Sequence, residues 1–176
     1  MRKVLVFCLA AVMVACGSKK KSDDIITERV ERPQLQEPIR QSSDLSERDV
    51  KWLGRTYHVV IERMPSDSLP LVSDETGQQF VDNVITLRIS RPDGSVFLNK
   101  RFTKGDFAQY LDADYRTAGI LEGMVFDEVD DDKLEFAASV SLPQTDEYIP
   151  LELKVSRMGD IAVKRDADMD THGDDD

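Results

Sequence analysis

The chain has 176 residues, with 23 basic and 34 acidic side chains and a net charge of −11. Such acidity disfavours nucleic acid or an anionic lipid surface as a partner, since both would repel it. It does not by itself call for a cationic ligand, because acidity also keeps a domain soluble.

The first element in chain order is a leader. Arg2 and Lys3 form a short cationic start, and Val4–Val14 is an unbroken apolar run about half as long as a membrane-spanning helix. The run ends in Met13-Val14-Ala15-Cys16, followed by Gly17 and Ser18, which resembles a lipobox with Met13 where Leu is usual. Residues 1–15 are thus expected to be a signal peptide, and Cys16 the point of lipid attachment. A simple cleaved leader would want an A-x-A-like site, and Ala11-Val12-Met13 places too large a residue there. More than one acyl chain, palmitate among them, would make the anchorage stable. The expected location is the cell envelope, anchored in the outer membrane and facing the periplasm or the cell surface.

Cysteine usage narrows the chemistry. Cys8 leaves with the leader and lipid consumes Cys16, so the remaining chain has no thiol and no disulfide. That excludes a cysteine nucleophile and a thiolate metal site. Without Arg2 and Lys3, 21 basic residues face 34 acidic ones, a net charge of −13.

Residues 16–48 read as a lipidated flexible tether, polar and proline-punctuated, with too little apolar surface to offset ordering entropy. Such a length reaches roughly 30 Å on average. Lys19-Lys20-Lys21-Ser22-Asp23-Asp24 loosely resembles the charged signals that follow the cysteine in surface-exported lipoproteins; a solvated charge run explains it equally well.

Residues 49–166 are the expected globular domain, mainly β (α+β): an antiparallel meander forming a sandwich or partly open barrel with one helix packed on it. The signal is period-two alternation. Tyr57, Val59 and Ile61 begin it, and a long loop over residues 69–80 follows, with a short strand near Leu71-Val72. Ile85, Leu87 and Ile89 share one face; so do Leu134, Phe136, Ala138, Val140 and Leu142, and then Ile149, Leu151, Leu153 and Val155. The intervening polar residues, including Glu135, Ser139, Ser141 and Glu152, predict a wet face. Pro92-Asp93-Gly94-Ser95, Asp130-Asp131-Asp132 and Met158-Gly159-Asp160 supply hairpin turns. Thr103, with Asp106 three residues on, caps a helix whose Phe107, Tyr110 and Leu111 face the sheet, and Gly119 stops it. Residues 167–176 read as a disordered acidic tail.

No reactive constellation stands out. Asp166-x-Asp168-x-Asp170 has the spacing of the start of a calcium loop, but Thr171 occupies the glycine position and the chain ends before the twelfth; a solvated tail suffices. Asp130–Asp132 reads as a polar turn. His58 falls on the wet face of a strand; a Ser-His-Asp arrangement needs only one histidine, but no G-x-S-x-G elbow accompanies it. His172 lies in the tail. One histidine is too few for a zinc site, so no metal and no cofactor is expected. Trp52 fits a staple fastening the entering chain to the core better than an exposed sugar platform.

Lys51–Gly54, Asp82–Leu87, Phe97–Lys104 and Gly119–Phe126 together resemble a Bacteroidota family, a domain-of-unknown-function family of lipoproteins from gut and oral anaerobes. The resemblance spans about Trp52 to Asp166 and implies location and lineage; it carries no activity and no functional residues. The function expected is a non-catalytic binding or envelope-assembly module, its partners the membrane through Cys16 and an unidentified envelope protein or glycan. The alternative is a carboxylate-dependent hydrolase acting on an extracytoplasmic polymer, motivated by abundant acids.

Overall fold

The computed structural model describes residues 37–166, all within one compact unit. The expected signal peptide, Cys16 and the acidic tail beyond Asp166 lie outside the described residues, as does the tether up to residue 36.

Among the described residues are ten strands and two short helical segments, and eight of the strands form an antiparallel sandwich of two open four-stranded sheets. The first sheet has the order β1 (Asp44–Trp52), β2 (Arg55–Pro65), β5 (Asn83–Ser90), β6 (Val96–Phe102). The second runs β7 (Ile120–Asp130), β8 (Lys133–Ser141), β9 (Tyr148–Val155), β10 (Ile161–Arg165). Both are meanders; β3 (Val72–Ser73) and β4 (Gln79–Phe80) form a small separate hairpin between β2 and β5. The sheets are open, so the barrel alternative is not realised.

One core lies between the sheets. Val59, Ile61, Ile85, Leu87 and Ile89 from the first meet Leu121, Leu134, Phe136, Val140, Leu151 and Leu153 from the second, all at most 4% exposed. Each such side chain contributes about 1.5–3 kcal/mol on burial, and the two-residue period puts every one on the inner face.

The expected helix is realised as two pieces, a 3₁₀ helix over Lys104–Tyr110 and α1 over Ala113–Ala118. The capping arrangement is present: the Thr103 backbone N–H and hydroxyl both donate to Asp106 Oδ2, at 2.8 and 2.9 Å. Phe107 is fully buried and stacks on Phe102 with ring centroids 5.7 Å apart. Extended backbone at Leu111 and Asp112 breaks the run, and Arg116 closes the gap by donating to the Leu111 carbonyl at 2.8 Å.

The expected tether boundary at residue 48 is corrected by the fold. β1 starts at Asp44, and residues 37–43 already lie on the domain: Ile39 pairs in parallel with Phe80, accepting from Val81 N–H and donating to the Gln79 carbonyl, both at 2.9 Å. The reason is that β1 is an edge strand with few inward apolar residues, Val50 and Trp52, so its sequence reads as polar. Its hairpin signal is also unusual. The two-residue turn to β2 is Leu53-Gly54, with φ of 50° and 71°; a leucine in that region takes a place more common for Asn or Asp.

The predicted wet face of the second sheet is also corrected in part: Glu135, Pro150, Glu152 and Ser141 are buried. They sit on the two central strands, flanked on both sides, and a row of charged side chains lies across them.

Candidate functional site

Two polar features stand out, and Glu122 belongs to both. The first is a buried seam where residues 41–42 lie over the start of β5, the end of β2 and the start of β7. Asp82, 5% exposed, accepts through Oδ1 from the backbone N–H groups of Asn83 and Leu121, each at 2.8 Å. Burial pushes its carboxyl up from the usual aspartate range, against the pull of those two donors and of Lys104. Lys104 Nζ stands 4.0 Å from Asp82 Oδ2 and donates to the Gly119 carbonyl at 2.6 Å; burial lowers its pKa. Asn83, wholly buried, donates to the Leu121 carbonyl at 2.9 Å and to Gln41 Oε1 at 2.5 Å. Arg63 Nη1 donates to Gln41 Oε1 and to the Glu122 carbonyl, both at 2.8 Å, and Nη2 to the Ser42 carbonyl at 3.1 Å. Gln41 Nε2 donates to Glu122 Oε1 at 3.2 Å, and Ser141 Oγ donates to Glu122 Oε2. Arg63 Nε and Asn83 Oδ1 are buried with no partner.

The second feature is a trough around the β8–β9 loop. Three concavities share walls there. A cleft of about 760 Å³ runs between the β3–β4 loop, α1 and the β8–β9 loop, lined by Asp74, Thr76, Asp114, Thr117, Gln144 and Glu147 among others. Thr145 and Glu147 also line a second hollow, with Glu122, Ser139, Ser141 and Tyr148. Ser139 and Tyr148 in turn line a third on the outer face of the second sheet, floored by Gly123, Ala137 and Pro150 beside Val125. Tyr148, 48% exposed, stands where the last two meet. The linings carry carboxylates, hydroxyls and an amide, and no lysine or arginine. Asp74 fixes one wall: its Oδ1 accepts from Thr76 N–H and Oγ1 and from Gln78 N–H, at 2.9, 2.7 and 3.0 Å. These bonds, the Thr76 hydroxyl foremost, lower its pKa.

The residues singled out in the sequence fall mostly elsewhere. Trp52 is 1% exposed and packs edge-on against Tyr57 and Phe97 at 4.9 and 5.4 Å, a staple rather than a platform. His58 lies on the outer face of the first sheet, where Asp49 Oδ1 is 2.9 Å from its Nδ1. Register places Asp49, His58 and Ser90 in one row across β1, β2 and β5 beside a shallow hollow, but no hydrogen bond joins His58 to Ser90 among the described residues. Asp130 accepts from Lys154 at 2.6 Å and Asp131 takes φ of 52°, as a turn does. Of the calcium-like spacing only Asp166 is described, its N–H donating to the Pro150 carbonyl. No three His, Cys, Asp or Glu side chains among the described residues converge as a metal site.

Glu135 and Glu152 are two carboxylates that share one lysine. Lys154 Nζ is 3.0 Å from Glu135 and 3.3 Å from Glu152, while Lys164 Nζ is 2.9 Å from Glu152. Burial holds the Glu135 carboxyl above its ordinary range; Lys164 leads in drawing Glu152 down against burial. The row forms because register sets Glu135 opposite Lys154 and Glu152 opposite Lys164.

Sequence reasoning passed over Gln41, Arg63, Asn83, Glu122 and Tyr148. The signal available was weak: Asp82, Asn83, Lys104, Gly119 and Glu122 all fall inside the segments that carry the resemblance. No match was found among the curated proteins. The profile of a domain-of-unknown-function family, DUF4738, matches residues 22–163, most of the chain, and the protein belongs to that family.

Proposed function

We propose that this protein is a non-catalytic binding or envelope-assembly module of the bacterial cell envelope. It is held in the outer membrane by acyl chains on Cys16 and engages an envelope protein or glycan along the trough around the β8–β9 loop. Lineage and anchorage rest on the lipobox-like Met13–Cys16 and on the resemblance to Bacteroidota lipoproteins.

The observation that carries the binding reading is the trough: three adjoining concavities walled by hydroxyls, carboxylates and an amide, with an exposed tyrosine at a junction. Recognition surfaces combine such an aromatic anchor with polar groups that fix orientation. The hydrolase alternative would draw on Glu135 and Glu152. Their shared lysine makes them ion-pair partners of one ammonium, which favours the binding reading; a glycosidase pair needs environments that split acid from base around an accessible bond.

A photoreactive amino acid at position 148, and at Asn99 on the first sheet as control, tests the site in the source bacterium. A specific envelope species crosslinked from 148 and not from 99 supports the reading. Capture from 99 alone, or turnover of a polymer that Glu135→Gln abolishes, overturns it. Mass spectrometry of the mature N-terminus tests the anchor; an unacylated Cys16 refutes it.

A further inference from the structure

The side chain of Gln41 is held as a ligand would be. Two donors, Arg63 Nη1 at 2.8 Å and Asn83 Nδ2 at 2.5 Å, converge on its carbonyl oxygen, and one carboxylate, Glu122 Oε1, accepts from its nitrogen at 3.2 Å. The amide cannot be turned over, since that would point donors at donors and a carboxylate at a carbonyl. One N–H of Gln41 thus meets an acceptor, a requirement a secondary amide also satisfies.

The seat is buried from below and open from above. Asn83 is wholly buried and its Oδ1 has no partner, and Arg63 Nε is likewise unpartnered, so the groups around Gln41 hold hydrogen-bonding capacity that it leaves unused. Gln41 itself is half-buried on a segment whose neighbours Ile39, Arg40, Ser42 and Ser43 are exposed. Only the Gln41 side chain enters this hydrogen-bond junction from segment 39–43 besides the Ser42 carbonyl, so turning it away would release one acceptor from Arg63 Nη1 and one from Asn83 Nδ2, while Arg63 keeps the Ser42 and Glu122 carbonyls and Asn83 the Leu121 carbonyl. Glu122 is also a wall of the trough, beside Ser139, Ser141, Thr145 and Tyr148.

We infer that the seat formed by Arg63, Asn83 and Glu122 is a recognition pocket for the acetamido group of an N-acetylated sugar, occupied in the resting protein by Gln41. The inference rests on the binding-module reading and names the chemistry of its ligand. The acetamido carbonyl takes the place of Gln41 Oε1 between Arg63 and Asn83, and its N–H donates to Glu122. The sugar hydroxyls face Ser139, Ser141 and Thr145, and Tyr148 offers a ring face for stacking. A glycan is favoured over an asparagine- or glutamine-bearing peptide because hydroxyls and an exposed aromatic adjoin the seat.

The test uses the full chain and its Gln41→Gly variant, with Gln41→Ser as a second variant should the first not fold. The probes are an N-acetylglucosamine tetramer, the corresponding glucose tetramer and an asparagine-containing tetrapeptide, each titrated by calorimetry and by amide chemical shifts. The expected result is binding of the acetylated tetramer at least tenfold tighter to the variant than to the parent. The glucose tetramer and the peptide bind neither, and Asn83→Ala in the variant background abolishes the gain. A folded variant that binds the acetylated tetramer no better than the parent, or binds the glucose tetramer equally, overturns the seat. Preference for the peptide overturns the sugar assignment. Continued crosslinking from position 148 in that event leaves the binding-module reading standing, so the two fail separately.

Discussion

Replacing Asp82 by alanine tests the claim that one buried carboxylate joins the two sheets. Its Oδ1 accepts from the Leu121 N–H, at the first turn of chain into β7, and from the Asn83 N–H at the start of β5, both at 2.8 Å. Deleting it leaves two buried donors without partners, at about 1–3 kcal/mol each, and leaves the Lys104 ammonium facing no carboxylate. Lys104 stays bonded to the Gly119 carbonyl, so the larger loss is the unpaired N–H groups, and Asp82→Ala should cost about 3–5 kcal/mol in all. Asp82→Asn keeps an acceptor for both donors and loses only the 4.0 Å attraction to Lys104, which should cost about 1 kcal/mol. The sign with pH follows from burial raising the Asp82 pKa: its contribution is fully present below the unfolded value near 4 and is lost as pH rises through the folded value. Urea unfolding at pH 3.5 and pH 7 therefore should give a larger gap between Asp82→Asn and the parent at the lower pH, since the substituted amide does not titrate. An Asp82→Ala variant within about 1 kcal/mol of the parent at pH 7 would refute the reasoning.

Further outcomes are expected at other positions. Gly119→Ala should destabilise by about 1–3 kcal/mol by overpacking, since an added Cβ would stand 2.5 Å from the Tyr115 carbonyl oxygen and 2.8 Å from Val140 Cγ1; an unchanged unfolding midpoint would contradict the close approach. Phe107→Ala should cost about 3–5 kcal/mol, measured in urea, because the ring is fully buried against Phe102. Asp74 has a lowered pKa, so its loop contacts are present above the usual aspartate range and lost as pH falls through the folded value. Protection of the Thr76 and Gln78 amides against exchange, taken relative to their intrinsic rates, should fall in that acid window, and Asp74→Ala should lower it at neutral pH.

The strands that contribute most to the core were legible because burial on one face imposes a two-residue period on them. Ile85–Ile89, Leu134–Val140 and Ile149–Val155 needed no partner to be recognised. The turns at Gly94 and Gly159 were legible as well, since left-handed backbone favours glycine; their φ values are 81° and 86°. β1 was not, because an edge strand is held mainly by backbone bonds that any residue can make, and Leu53 hides its turn. The break between the 3₁₀ helix and α1 was equally hidden, since the apolar spacing of Phe107, Tyr110 and Leu111 suits either geometry.

What the sequence by itself determined is the class: an antiparallel β domain with no cysteine from residue 17 to residue 176. What only the tertiary structure decided is where polar chemistry gathers. Gln41, Arg63, Asn83 and Glu122 lie up to 81 positions apart along the chain, and each alone is an ordinary polar residue. Hydrogen bonds act over about 3 Å, so their meaning depends on which strands stand side by side, and alternation along one strand carries no record of its neighbours. The same holds for Glu135 and Lys154, which become an ion pair because the register of β8 on β9 sets them opposite each other.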